Sequence, residues 1–334
     1  MADVTRARDD VLEFWNLLGH APAEDLNDVV ARAVAPDSRW SVSHPINELR
    51  SSAFGSSCWQ PVRHALGELD VEWHVLISGE QEDALWVTGT GYLTGEFTAE
   101  WLGIPPTGSP AALRFGVFHD MTRGKIGDTL LLVDILDLAH RAGHDLLPDG
   151  RYDADLVPGP PTDNGFIHSD AADGFGAVEL VHRMLFDGLL QYDGERLESM
   201  RMREYWHPNM FWYGPGGIGS TVGVEGFEDQ HQRPFLTSFP DRRGAGEISL
   251  FGDGPYAASA GWPSLVATHS AEYLGIPKTG LEVTMRVMDW WRAEGSLLTE
   301  NWVLIDLPDI ASQLGHELFP GGSIRAPLLE IDAT

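Results

Sequence analysis

Ala99-Glu-Trp-Leu-Gly-Ile-Pro-Pro-Thr-Gly108 recurs 172 residues later as Ala271-Glu-Tyr-Leu-Gly-Ile-Pro-Lys-Thr-Gly280. Carrying the same offset through residues 99–150 and 271–322 gives 18 identities in 52 positions without a gap. Arg114 lies over Arg286, Asp134 over Asp306, and Gly143-His144 over Gly315-His316. A period this long is a duplicated domain rather than a solenoid repeat. Upstream, Pro61-Val-Arg63 resembles His231-Gln-Arg233 at an offset of 170. The units are expected at 1–150 and 171–330. The Pro- and Gly-bearing stretch within 151–170 reads as a linker.

Each unit has the same order of patterns. Helical segments come first, at 4–18 and 24–33, and again at 174–190 and 194–204, with Val11, Phe14, Trp15 and Leu18 on one helical face. A short strand and a helix near 57–66 or 225–236 follow. Longer strands then lead to a closing helix that ends before Gly143 or Gly315, where a C-terminal cap is expected. Helices followed by an antiparallel meander predict an α+β fold. Gly214-Pro-Gly-Gly-Ile-Gly219 has no lysine and contains proline, so it reads as a hairpin or pocket loop and not a phosphate cradle.

Composition narrows the function. Lys and Arg total 22 against 50 Asp and Glu, a formal net charge of −28, which repels nucleic acid. No apolar run is long enough for a membrane helix, and the polar start lacks the apolar centre of a signal peptide. One cysteine, Cys58, excludes an internal disulfide. A cytoplasmic location is the expectation. No metal-ligand spacing or nucleophile elbow is present, so no metal and no cofactor are expected.

The Gly-Ile-Pro-x-Thr-Gly run, the Arg-bearing strand, Gly295-Ser-Leu-Leu-Thr-Glu-Asn-Trp-Val-Leu-Ile-Asp306 and Gln313-Leu-Gly315 together resemble SnoaL-like polyketide cyclases, of the nuclear transport factor 2-like superfamily. The resemblance is strongest in the last 60 residues of each half. It implies two tandem conical α+β barrels, each a curved antiparallel sheet wrapped around N-terminal helices and enclosing a pocket. It also implies an aspartate acid/base near the end of the last long strand. Asp306 matches that position, within Trp302-x-x-x-Asp306. Asp134 is its first-unit counterpart, but Leu130 replaces the tryptophan there. The superfamily hosts cyclases, dehydratases, isomerases, hydrolases and non-enzymatic binders, so the fold alone does not select a reaction.

Several residues carry possible chemistry. Asp306 at the end of an apolar strand would have a raised pKa and exchange protons near neutrality, or it would cap the helix that follows. His231 and His269 have no histidine at the matched positions and suit a base or an orienting group. Arg286 reads as an internal ion-pair partner, and Arg233, aligned with Arg63, as an ion-pair partner or anion clamp. Asp289 replaces Val117 and shares a strand face with Val287 and Trp291, opposite Arg286. If that face lines the pocket, Asp289 and Asp306 would form a carboxylate pair. Tyr213, Trp262, Trp290 and Trp302 are the expected pocket walls for a flat or cyclic substrate.

The expectation is therefore an acid/base enzyme of SnoaL-like type, active in its second unit on a small carbonyl or hydroxylated molecule by cyclisation, dehydration, isomerisation or hydrolysis. The first unit would stand in for a second subunit as an intrachain pseudo-dimer, with a further homodimer left open. The alternatives are a non-catalytic small-ligand binder or scaffold, and an epoxide hydrolase-like Asp289–Arg286–Asp306 set.

Overall fold

The computed structural model describes residues 4–161, 175–246 and 249–320. In the first unit the helix Val4–His20 turns Val11, Phe14, Trp15 and Leu18 inward, and the helix Leu26–Ala33 follows. Six strands come next: β1 (Arg39–Val42), β2 (Glu48–Arg50), β3 (Asp70–Gln81), β4 (Ala84–Glu96), β5 (Pro110–Asp120) and β6 (Thr129–Val133). Their spatial order is β2-β1-β6-β5-β4-β3. The helix Gln60–Leu66 precedes β3, and Ile135–Arg141 closes the unit.

The second unit contains β7 (Trp206–Tyr213), β8 (Thr221–Val222), β9 (Arg243–Gly244), β10 (Ser249–Asp253), β11 (Tyr256–Thr268), β12 (Glu282–Glu294) and β13 (Leu297–Ile305). The order is β10-β11-β12-β13-β7-β8, with β9 paired to β11. The duplication reaches backbone detail. Trp101 bridges Ile104 as Tyr273 bridges Ile276. Leu102 and Leu274 have φ of 55° and 52°, and Gly143 and Gly315 follow the closing helices at φ of 84° and 80°.

Two expectations are corrected. The sheets are mixed and not purely antiparallel, because β1 runs parallel to β6 and β7 parallel to β13. Each early strand reaches its late neighbour by a long crossover, which permits parallel pairing. The helix expected at 194–204 is instead a pair of short 3₁₀ turns, Leu197–Met200 and Met202–Glu204. Between them Arg201 sits at φ 54°, a left-handed conformation that stops helix propagation. Residues 162–174, part of the expected linker and the start of the helix expected at 174–190, lie outside the described residues.

The two sheets stack face to face. Val75, Ile77, Phe118, Leu130 and Leu132 of the first meet Phe251, Ala258, Met288, Trp290, Trp302 and Leu304 of the second. The Trp290 indole N–H donates to Thr88 Oγ1 at 3.0 Å, and the Trp302 indole N–H donates to the Pro158 carbonyl at 2.9 Å. Both rings are fully buried. Each removes on the order of 200 Å² from water, an upper stabilisation of about 5 kcal/mol. Gly116 makes room for Trp290, since a Cβ there would lie 2.3 Å from Trp290 Cη2. Alternation along β12 and β13 therefore sends 288, 290, 302 and 304 to the other sheet. Residues 287, 289, 291, 301, 303 and 305 face the opposite way, into the second unit.

Candidate active site

The inward faces of the two units differ. The first is filled by Phe14, Trp15, Trp40, Phe54, Trp59 and Phe115, all essentially inaccessible. His119, where Trp291 stands in the second unit, is satisfied inside this packing. The Trp15 indole N–H donates to His119 Nε2 at 3.0 Å, and His119 Nδ1 bonds Thr129 Oγ1 at 2.8 Å.

The second unit instead encloses a cavity of about 260 Å³. Its walls come from the segment 184–190, from Trp206 and Trp212 on β7, from Phe227 to Leu236, and from the inward face of β12 and β13. Phe186 and Leu190, large apolar residues left exposed, mark where it reaches the surface. Trp59-Gln-Pro61 and Gln232-Arg-Pro234 hold matching places at the start of the same helix. A tryptophan thus plugs the first unit where the second carries Gln232.

Asp289 is the one carboxylate among the described residues lining this cavity. Asn301, diagonally across on β13 and opposite Trp291, donates from Nδ2 to Asp289 Oδ1 at 3.1 Å, which fixes the carboxylate against the wall. His231 lies on the widened turn Glu228–Gln232 that runs into the helix Arg233–Ser238. Its ring stacks on Trp212 with centroids 4.2 Å apart and touches Phe227 and Phe235. Burial, with the charges of Arg242 and Arg151 adding to it, pushes His231 down to about 3, so the imidazole is neutral at pH 7. Arg242 also lines the cavity.

Among the described residues, five of the ten buried side-chain polar atoms without a partner belong to cavity residues: Trp206 Nε1, Trp291 Nε1, His231 Nδ1, and both amide atoms of Gln232. Such atoms cost about 1–3 kcal/mol each. Their gathering at one cavity sets that region apart, since the packed interior of the first unit leaves Trp40 Nε1 unpartnered but gathers no such group.

The other expected site residues lie elsewhere. Asp306 follows the alternation of β13 away from the cavity. It caps the helix Leu307–Gln313 through the Asp309 N–H at 3.2 Å and takes the His44 N–H from the first unit at 2.9 Å. Arg286 donates to it at 3.0 Å and also pairs with Asp309 at 3.2 Å. Asp134 mirrors this: it caps Ile135–Arg141 through the Asp137 N–H at 3.1 Å and takes the Gly216 N–H of the second unit at 2.8 Å. Burial raises both carboxyl pKa values to about 6. For Asp306, Arg286 opposes this and Asp309 adds to it. The anticipated direction of the shift is present, in a pair of reciprocal clamps between units.

The Asp289–Asp306 pair does not form, since the two lie on opposite faces of the sheet. The Asp289–Arg286–Asp306 set fails for the same reason. The loop 214–219 is neither a free hairpin nor a pocket loop. Its Gly214 carbonyl accepts from Arg114 at 2.7 Å, and its Gly216 N–H meets Asp134.

Tyr213, Trp290 and Trp302 belong to the sheet–sheet core and do not line the cavity. The Tyr213 hydroxyl donates to Glu300 at 3.3 Å. Trp262 packs under the Arg286 guanidinium, 4.9 Å from the ring centroid. Arg233 is exposed and pairs with Asp229, whereas Arg63 bonds the carbonyls of Gly67, Leu18 and Ala21. The proline-based match shows that these two arginines are not equivalent. His269 is buried behind the cavity, with Nδ1 bonded to Thr279 Oγ1 at 3.2 Å.

Of the expected residues, the structure brings Asp289 and His231 together at the cavity. Arg242, Gln232, Trp206, Trp212 and Asn301 were not anticipated as site residues. Trp291 was placed on the face of Asp289, and Asn301, opposite Trp291 on the adjacent strand, was legible from the same alternation.

Residues 194–314 match the family model described as SnoaL-like polyketide cyclase. This segment is a SnoaL-like polyketide cyclase domain. No curated protein matches the chain in sequence. Among solved structures, the chain is similar to a protein from Jannaschia sp. CCS1 assigned to the SnoaL-like polyketide cyclases. The identity is 16%, the coverage 44% of this chain and 96% of that one, and the TM-score 0.38. It is also similar to AclR from Streptomyces galilaeus, assigned as a hydroxylase, at 19% identity, covering 44% and 98%, with a TM-score of 0.34. IdmH from Streptomyces antibioticus, assigned as a polyketide cyclase, matches at 22% identity over 42% and 98%, with a TM-score of 0.34. Among the described residues no helix is long and apolar enough to cross a membrane.

Proposed function

We propose that the SnoaL-like domain binds a small carbonyl-containing organic molecule in its cavity and moves protons on it with its own side chains. The observation that carries this is Asp289, held by Asn301 and the one carboxylate among the described residues on a largely apolar wall. Asp289 takes a proton from the carbon beside the carbonyl, and the electron pair passes to the carbonyl oxygen as an enolate. Neutral His231 supplies a hydrogen bond to that oxygen without needing to be charged. In a cyclisation the enolate carbon attacks a second carbonyl of the same molecule. A carbon–carbon bond forms, and the new alkoxide recovers the proton from Asp289. Dehydration and isomerisation begin with the same proton abstraction.

The test is proton–deuterium exchange at the α-carbons of 2-tetralone in D₂O, followed by NMR. The wild-type protein should accelerate exchange, and Asp289→Asn should abolish the acceleration while preserving the fold. Equal rates for the two proteins would overturn the assignment. If 2-tetralone binds but is never exchanged, the apolar wall is a binding site and the domain a small-ligand binder.

A further inference from the structure

Asp241-Arg242-Arg243 sits at the rim of the cavity, and the middle residue stands apart from its neighbours. Asp241 accepts from the Thr268 N–H and hydroxyl at 2.8 and 2.6 Å, and Arg243 pairs with Glu282 at 2.7 Å. Arg242 has no carboxylate partner among the described residues. Its Nη2 donates to the Leu189 carbonyl at 2.9 Å and lies 3.3 Å from Met200 Sδ, and the guanidinium carbon lies 6.0 Å from the Tyr192 ring centroid. No bond engages Nε or Nη1 among the described residues, although a guanidinium carries five donors.

Acidic residues outnumber basic ones 50 to 22 in this chain, yet Arg242, like Arg63 and Arg114, meets carbonyls and no carboxylate among the described residues, and of these three it alone lines the cavity. Burial pulls its pKa down to about 10, which leaves it charged at neutral pH. Its field reaches the cavity, because it helps to hold His231 neutral. The long-range field of the protein is negative and does not attract an anion, so recognition of one must be local. A planar, weakly hydrated guanidinium at the edge of an apolar cavity is suited to a carboxylate.

We propose that Arg242 is the anion site of the cavity and that the ligand is an organic acid: a ring-sized apolar body bearing one carboxylate or an equivalent acidic oxygen. The body lies against Trp206, Trp212 and Phe227, the acidic oxygen meets Arg242, and the reacting carbon faces Asp289. This rests on the reading of the cavity as a small-molecule site and adds the class of molecule.

The test uses 2-naphthoate and its neutral isostere 2-naphthamide, titrated calorimetrically into the full chain. The acid should bind roughly tenfold or more tightly than the amide. Arg242→Gln should erase that advantage, so that acid and amide bind with similar Kd values. Equal binding of acid and amide by the wild type, which needs no variant, would overturn the anion site while leaving the cavity reading intact. Survival of the acid's advantage in Arg242→Gln would do the same. If neither compound binds, the cavity reading itself fails, and the anion site with it.

Discussion

Replacing His231 by Phe should change how stability depends on pH, by an amount that follows from the ring's surroundings. His231 is held neutral in the folded protein, its pKa lowered to about 3 chiefly by burial among aromatic rings. In the unfolded chain it titrates near about 6.5. Between those values the unfolded state binds a proton that the folded state refuses, so stability falls as pH falls through about 6.5. Taken from about pH 7.5 to about pH 5, this linkage costs roughly 2 kcal/mol for one histidine. Phe cannot titrate, and it keeps the stack on Trp212. The variant should therefore lose roughly 2 kcal/mol less than the wild type over the same interval. Comparing the two proteins at two pH values cancels any pH-independent packing change. Urea unfolding followed by tryptophan fluorescence measures the difference, and the His231 Cε1–H resonance should not move between the two pH values. Parallel stability profiles, or a His231 resonance that titrates near pH 6.5, would refute the account of a neutral imidazole in the cavity wall.

Other outcomes separate the cavity from the scaffold. Asp306→Ala should lower stability by about 2–4 kcal/mol, because the His44 and Asp309 N–H groups lose their acceptor and Arg286 loses one of its two carboxylates, keeping Asp309 and Asn47. Asp134→Ala should cost a similar amount by the mirrored loss, and both variants should retain 2-tetralone exchange where they remain folded. Loss of exchange in folded Asp306→Ala would restore that residue to the chemistry. Gly116→Ala should lower the melting temperature by forcing a Cβ against Trp290, at about 1–3 kcal/mol. Adding Trp290→Phe should recover part of that loss, and purely additive melting shifts would count against the contact.

The second-unit cavity was only partly legible in the sequence. Asp289 was found because it replaces a valine in an otherwise matched strand, and alternation correctly placed it with Val287 and Trp291. The same parity separates Asp289 from Asp306, whose even-numbered neighbours Trp302 and Leu304 meet the other sheet. The aromatics chosen as pocket walls were misassigned for a related reason. A buried tryptophan in a strand looks the same in sequence whether its face meets a cavity or a second sheet, and here Trp290 and Trp302 meet a sheet. Arg63 and Arg233 were matched at the wrong offset, since the helix shares its proline but little else.

The sequence by itself determined the duplication, the α+β order of elements, the closing helices with their following glycines, and the face that Asp289 shares with Val287 and Trp291. These depend on local conformation and on strand alternation, which residue types report directly. Tertiary structure decided that the sheets stack on their even-numbered faces and that Asp134 and Asp306 clamp one unit to the other. It also decided that, among the described residues, the second interior holds a cavity where the first is packed, since Trp59 occupies in one unit the place that Gln232 leaves free in the other. Those outcomes depend on which surfaces meet and on how completely side chains fill the space between them, and residues distant in the chain settle both together.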